Sequence, residues 1–332
     1  MTALDAPLPL TPELRARPWG ADRLRTWWPA ATQPAAGSPV GEAWLAGPDT
    51  RVADGPWRGR TLADVAAAHG PAFVGTAPFA RYGARMPLLV KLLDAAVPLS
   101  VQVHPDDAYA REFAGEDGDL GKTEAWWVLE ADPGAHVWWG FARAVARAEV
   151  EAAIDAGTIE ALLRRLDVVP GDVVVNPAGT VHALGGGVLA FEVQQASDLT
   201  FRLYDHGRVG ADGLPRELHV ARALDVARLT PGASVAPTPR SVAAGRTEVA
   251  RTHAFVLERV AAEGGATWFV GAESLEILTH LGGGPVEVRH GGTVRTLARG
   301  ASLALAAGSG RIDVAGQGVL ARARYPADPA VG

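Results

Sequence analysis

Hydrophobic and polar positions change their period along the chain. Up to about residue 60 the sequence is rich in Gly, Pro and Trp with short extended pieces, and TLADVAAAHG (61–70) predicts a short helix stopped by its glycine. Apolar runs near 87–104 and 123–140 predict strands. ARAVARAEVEAAIDAGTIEALLRRL (142–166) is alanine-rich with apolar residues at helical spacing and a break around Gly157, which predicts one helix or two short ones. From 167 onward short β-branched and leucine runs (DVVVNP, GVLAFEV, LTFRLYD, ATWFV, LEILTHL, VEVRHG, RTLARG, SLALAA, RIDV, VLARARY) alternate with glycine turns. That rhythm predicts a mainly β chain, a sandwich or barrel. The Pro-, Ser- and Ala-rich segment 229–245 predicts a linker, dividing the chain near 240 into units 1–240 and 241–332.

Within the first unit SVQVHP (100–105) alternates Ser100, Gln102 and His104 with Val101 and Val103. As a strand it sends three polar side chains to one face. A strand leading out of the apolar run MPLLVKLLDAAVPL that sends this polar face into a core needs a chemical reason.

Composition narrows the choice. The chain has 332 residues, 48% hydrophobic, and a net charge of −6 without like-charge runs or a basic stripe, which gives no footprint for nucleic acid or a membrane surface. The N-terminus lacks a basic-then-apolar leader and no stretch reaches a membrane-spanning length without charge, so the expectation is a cytoplasmic protein, its oligomeric state unspecified. With no cysteine, any metal must be held by nitrogen and oxygen. Of 31 basic residues only Lys91 and Lys122 are lysine. A compact ammonium that survives such a bias marks a place where a guanidinium does not serve, and both flank SVQVHP.

Residues 171–182, GDVVVNPAGTVH, run glycine, five residues, then Pro-x-Gly-x-x-His. The spacing resembles the second motif of the cupin β-barrels: Gly171 turns into the strand, Pro177 and Gly179 bend out of it, and the bend delivers His182 inward. GASLALAAGSGR (300–311) repeats the spacing with alanine for the proline and Arg311 for the histidine, implying a second barrel-like unit without a metal site. Gln102, His104, Glu124 (in GKTEAWW) and His182 then form a candidate ligand set from three strands. This set suits Zn²⁺, one per chain, with an open position, and is also compatible with Mn²⁺, Fe²⁺ or Co²⁺.

LLVKLLDAAVPLSVQVHPDD, GKTEAWWVL, NPAGTVHALGGG and FEVQQASDLTFRLYD, with PWG (18–20), GEAW (41–44) and GRTL (59–62), resemble the type I mannose-6-phosphate isomerases in their shorter bacterial form. The resemblance implies a cupin-type barrel with helical elaboration and a second, metal-free barrel. It also implies one zinc on Gln102, His104, Glu124 and His182, and interconversion of mannose 6-phosphate and fructose 6-phosphate through a cis-enediol. Leu184 and the following glycines stand where longer members carry an aromatic residue, and the large helical insertion of those members does not fit 332 residues.

An aldose–ketose isomerase needs a base beside the substrate carbon. Glu192, a carboxylate in the apolar strand GVLAFEVQQ, is the first candidate, since burial raises its pKa and the resemblance also places a glutamate there. Lys122 shares the face of Glu124 and is a candidate for ring opening or oxyanion neutralisation; His206 competes for proton transfer. Arg202 matches the family's active-site arginine and suits a phosphate dianion, with Lys91 and Ser100 as further phosphate partners. The GGG at 185–187 lacks the residues of a nucleotide cradle and reads as a hairpin turn. Two other classes remain open: a cupin sensor that binds sugar phosphate without turnover, and an Fe²⁺ cupin oxygenase.

Overall fold

The computed structural model describes residues 4, 6–29, 31, 33–35, 37–115, 118–209, 213–232 and 236–328. The chain is mainly β, in sheets of six, five and nine strands. The six-stranded sheet runs Glu13–Ala16, Val40–Ala46, Leu88–Ala95, Val188–Gln195, Glu124–Ala131, Val173–Asn176 in spatial order. The five-stranded sheet runs Phe201–Tyr204, Val101–Val103, His182–Leu184, His136–Phe141, Leu163–Asp167.

These two sheets face each other, and the side-chain alternation shows how. On the six-stranded sheet Leu93, Trp126, Val128, Val188 and Ala190 pack against Val137, Trp139 and Leu184 of the five-stranded sheet. The alternate residues Leu88, Val90, Leu92, Trp127, Phe191 and Val193 point the other way, into a core shared with Phe255, Leu257, Ile277 and Ala321 of the C-terminal part. Both faces of the sheet are therefore covered, which is why its strands read as near-continuous apolar runs. The outer face of the five-stranded sheet, Val101, Val103, Ala183, Phe201 and Leu203, packs with Val150 and Ile154 of helix Arg147–Asp155 and with Ala223 and Leu224 of helix Val220–Val226.

The remaining nine strands form one sheet, which takes from the N-terminal part only Leu8–Pro9, paired to Ser302–Leu305. The degenerate repeat is visible in its turns. Gly171 and Gly179 have φ of 102° and 82°, and Gly300 and Gly308 have 83° and 75°, so both copies use the left-handed region at the same two places. Arg311 does not replace His182 in space: it opens strand Gly310–Arg324, lies exposed and pairs with Asp313.

Several elements differ from their expected form. Of segment 142–166 only Arg147–Asp155 is α-helix; Ile159–Leu162 is a 3₁₀ turn, and Leu163–Asp167 is an edge strand on His136–Phe141. The predicted linker ends in strand Arg240–Ala243, and its residues 233–235 lie outside the described residues. The GGG turn joins strands of two different sheets, so it is not a hairpin. The helix at 61–70 forms as Leu62–His69, with a capping box between Thr61 and Asp64 and Gly70 at its end.

Candidate active site

The glycine–proline bend delivers His182 to the inner face, where it stands directly opposite Gln102 in the neighbouring strand. His104 follows that strand, and Glu124 opens the facing one. One ligand atom each from His104, Glu124 and His182 lies within 4.8 Å of the others, and all three residues are buried. The two imidazole rings are 4.9 Å apart.

The donor set fits a divalent cation. His104 Nδ1 lies 2.8 Å from the carbonyl of Leu199, and His182 Nδ1 2.8 Å from that of Thr180. A carbonyl can only accept, so each Nδ1 carries the proton and each Nε2 presents a lone pair. Those Nε2 atoms face Glu124, His104 at 3.4 Å from Oε2 and His182 at 3.2 Å from Oε1. Lone pairs on nitrogen and carboxylate oxygen repel unless a cation lies among them; the Lys122 ammonium reaches His104 Nε2 and Glu124 Oε2, whereas His182 Nε2 has no hydrogen-bond partner. Burial, then the charge of Lys122, pushes the His104 pKa down to about 3, so the ring is the neutral, ligating form. Burial alone would raise the Glu124 pKa, but the Lys122 charge beside it holds it well below the ordinary range.

Lys122 bridges this cluster to the rest of the site. Its Nζ is 2.9 Å from His104 Nε2 and 2.5 Å from Glu124 Oε2. Across the six-stranded sheet a row of registered residues follows: Trp44, Lys91, Glu192, Trp126. Trp126 Nε1 donates to Glu192 Oε1 at 2.9 Å, Lys91 Nζ lies 3.5 Å from Glu192 Oε2, and Lys91 sits 4.6 Å above the Trp44 ring. Burial and the charge of Glu124 raise the Glu192 pKa, against Lys91 and Lys122. Glu42 accepts from Trp44 Nε1 at 2.7 Å and from Arg17 at 2.9 Å. Burial works against its charge, but Lys91 and Arg17 prevail and bring its pKa to about 2. An aliphatic side chain in such a place contributes about 2 kcal/mol of burial, whereas each buried charge costs several kcal/mol before pairing.

Both lysines of the chain are buried here, and both line a cavity of about 730 Å³ together with Gln102, Ser100 and Glu192. At its other side stand Arg202, registered opposite Gln102, and Arg216. Arg202 Nε is buried without a partner, and burial with the nearby Arg216 charge lowers its pKa, a strain that a bound anion relieves. Asp205 holds Arg216 by Nε at 2.6 Å and Arg208 at 2.6 Å. Ser100 Oγ lies 3.4 Å from Gln102 Oε1. His206 turns away: its Nε2 meets the Leu99 carbonyl and its Nδ1 faces Glu160.

Of the residues expected from the sequence, Gln102, Lys122, Glu192, Lys91, Ser100 and Arg202 line the cavity, while His104, Glu124 and His182 form a buried cluster that Lys122 contacts. Sequence reasoning missed Glu42, Arg17, Trp126 and Arg216. Glu42 and Trp44 alternate in GEAW, a signal of the same kind as SVQVHP; Arg216 sits in a loop with no periodicity to mark it.

A cupin-type fold with a buried His/Glu/His cluster beside a cation-lined cavity defines a metal-dependent enzyme acting on an anionic small molecule. Residues 8–124 match the family model of the phosphomannose isomerase type I catalytic domain. The chain is 39% identical over 241 residues to the mannose-6-phosphate isomerase of Streptococcus mutans, covering 70% of this chain and 71% of that protein. It is 39% identical over 224 residues to mannose-6-phosphate isomerase ManA of Bacillus subtilis, 66% of this chain and 67% of that one. The crystal structure of the mannose 6-phosphate isomerase from Bacillus subtilis superposes with a TM-score of 0.83 at 32% identity, over 96% of this chain and 99% of that one. The chain belongs to the type I mannose-6-phosphate isomerase family. No helix among the described residues is long and apolar enough to cross a membrane.

Proposed function

We propose that the chain interconverts mannose 6-phosphate and fructose 6-phosphate using one divalent ion, zinc, held by Gln102, His104, Glu124 and His182. The observation that carries this reading is the shared volume: Gln102 and Lys122, next to the ligand cluster, line the same cavity as Glu192 and the cations Arg202 and Arg216. Zinc bound there supplies a Lewis acid that polarises the sugar carbonyl and favours a cis arrangement of the two oxygens. Glu192, its basicity raised by burial, takes the proton from C2 of the open aldose and returns it to C1, while Lys122 gives a proton to O1 and recovers one from the O2 hydroxyl, so that both the C–H and the O–H bonds broken and formed balance across a cis-enediol. Lys122 donates to the sugar oxygens, and Trp126 fixes the Glu192 carboxylate. Arg202 and Arg216 receive the phosphate dianion, with Ser100 and Lys91 on the same wall. A cytoplasmic setting suits such a substrate.

We also propose the division 1–240 and 241–332, supported by the gathering of all described strands after residue 240 into one sheet. A coupled isomerase assay on chelator-stripped protein re-supplied with zinc tests the function. Turnover of mannose 6-phosphate without oxygen is expected; binding without turnover, or a demand for oxygen, would overturn it in favour of a sensor or an oxygenase.

A further inference from the structure

The placement of Lys122 rests on the backbone around it, and that backbone is held from behind the site. Gly121 N–H donates to Asp107 Oδ1 at 2.9 Å. Thr123 N–H donates to Gln195 Oε1 at 2.9 Å, and Gln195 Nε2 donates to the same Asp107 Oδ1 at 2.7 Å. One carboxylate oxygen thereby grips the segment on both sides of Lys122. There is no slack, because a Cβ on Gly121 would come within 2.4 Å of the Asp107 backbone nitrogen.

The other oxygen, Oδ2, accepts from Arg81 Nη2 at 2.6 Å and from the Tyr82 hydroxyl at 3.1 Å. Arg81 and Tyr82 close helix Thr76–Tyr82, whose first amides donate to the carbonyls of Ala272 and Glu273 in the C-terminal part. The Tyr82 ring meets the buried Tyr325 ring edge-on, 5.9 Å between centroids. The metal-free part of the chain is thus joined by contacts to the loop that aims Lys122.

We infer that Asp107 is a positioning residue for the isomerisation, fixing Gly121–Thr123 so that the Lys122 ammonium stands at the ligand cluster, and that the C-terminal part holds Asp107 through Tyr325 and Tyr82. This inference rests on the isomerase reading. A displacement of about 1 Å at a catalytic group costs on the order of 100-fold in rate, so the effect belongs in kcat.

The test is steady-state kinetics on metal-loaded protein with mannose 6-phosphate, with metal content measured in parallel. Asp107→Ala is expected to lower kcat about 10- to 100-fold with KM within about 3-fold and metal at the wild-type level. Asp107→Asn, which keeps an acceptor toward Gly121 and Gln195, should stay within about 5-fold of wild type. Wild-type kcat in folded, metal-loaded Asp107→Ala would overturn the inference, as would equal losses in both variants that track the folded or metal-bound fraction. Should Asp107→Ala fail to fold, Gln195→Glu sets a carboxylate against Asp107 with little change of shape; the same kcat-selective loss is expected, and full kcat there would overturn the inference. An inactive metal-loaded wild type would instead sink the isomerase reading, and this inference with it.

Discussion

Lys91 and Glu192 face each other across adjacent antiparallel strands, Nζ 3.5 Å from Oε2, both buried. The pairing keeps a carboxylate inside the cavity without neutralising it fully, since burial and Glu124 still raise the Glu192 pKa. Glu192→Gln preserves shape and the hydrogen bond from Trp126. It should retain the metal and lower kcat by about 100- to 10,000-fold, the range expected for loss of a general base. Kinetics alongside metal analysis checks this, and unchanged kcat would remove Glu192 from the role.

The His104/Glu124/His182 cluster predicts that each imidazole is needed for metal retention. His104→Ala and His182→Ala should each leave the purified protein without its divalent ion, by elemental analysis. Stoichiometric metal in either variant would contradict the ligand set.

At the cationic side of the cavity, Arg202→Ala should raise KM for mannose 6-phosphate by about 10- to 100-fold, the worth of one charge-assisted hydrogen-bonded contact. Binding of unphosphorylated mannose should change far less. Equal effects on both sugars would place the phosphate elsewhere.

The site and the fold were unequally legible in the sequence. His182 could be found because everything that places it is local: Gly171 and Gly179 need positive φ, and five residues separate the strand Val173–Asn176 from the ligand. Glu192 stood out as a charge within an apolar run, and Lys91 as one of only two lysines among 31 basic residues. Arg216 reaches the cavity through Asp205, a contact made only by the folded loop, and nothing in its neighbourhood of sequence marks it. The stretch Leu163–Asp167 looks helical because its leucines follow an alanine-rich helix at helical spacing, yet pairing with His136–Phe141 outweighs that weak preference. The strands Glu276–His290 and Gly310–Arg324 read as separate short runs because glycines interrupt them; in the fold Gly282, Gly283, Gly316 and Gly318 pair beside two bulges in one long pairing.

Glu42 makes stability depend on acid. Its ordinary pKa of 4.5 applies to the unfolded chain, while Lys91 and Arg17 hold it at about 2 in the fold. The folded state is favoured above the unfolded value, and that stabilisation, on the order of 3 kcal/mol, is lost as pH falls from 4.5 toward 2. Denaturant unfolding at stepped pH should show the slope, and Glu42→Gln should flatten it.

In the C-terminal sheet Arg322 lies buried between Glu276, bonded through Nε at 2.7 Å, and Glu258 at 2.8 Å. Arg322→Ala leaves buried Glu276 with the Trp268 indole alone while Glu258 keeps Arg246, and should destabilise the protein by about 3 kcal/mol in denaturant unfolding. A change under 1 kcal/mol (about the worth of a surface pair) would show that the network is solvated.

Metal-dependent isomerisation is tested most directly by measuring turnover of mannose 6-phosphate against bound metal on a single preparation, stripped with a chelator and titrated with zinc. The account predicts no turnover at zero metal and a linear rise that ends at one ion per chain. Full activity in the stripped protein, or saturation with metal and no conversion to fructose 6-phosphate, would contradict it.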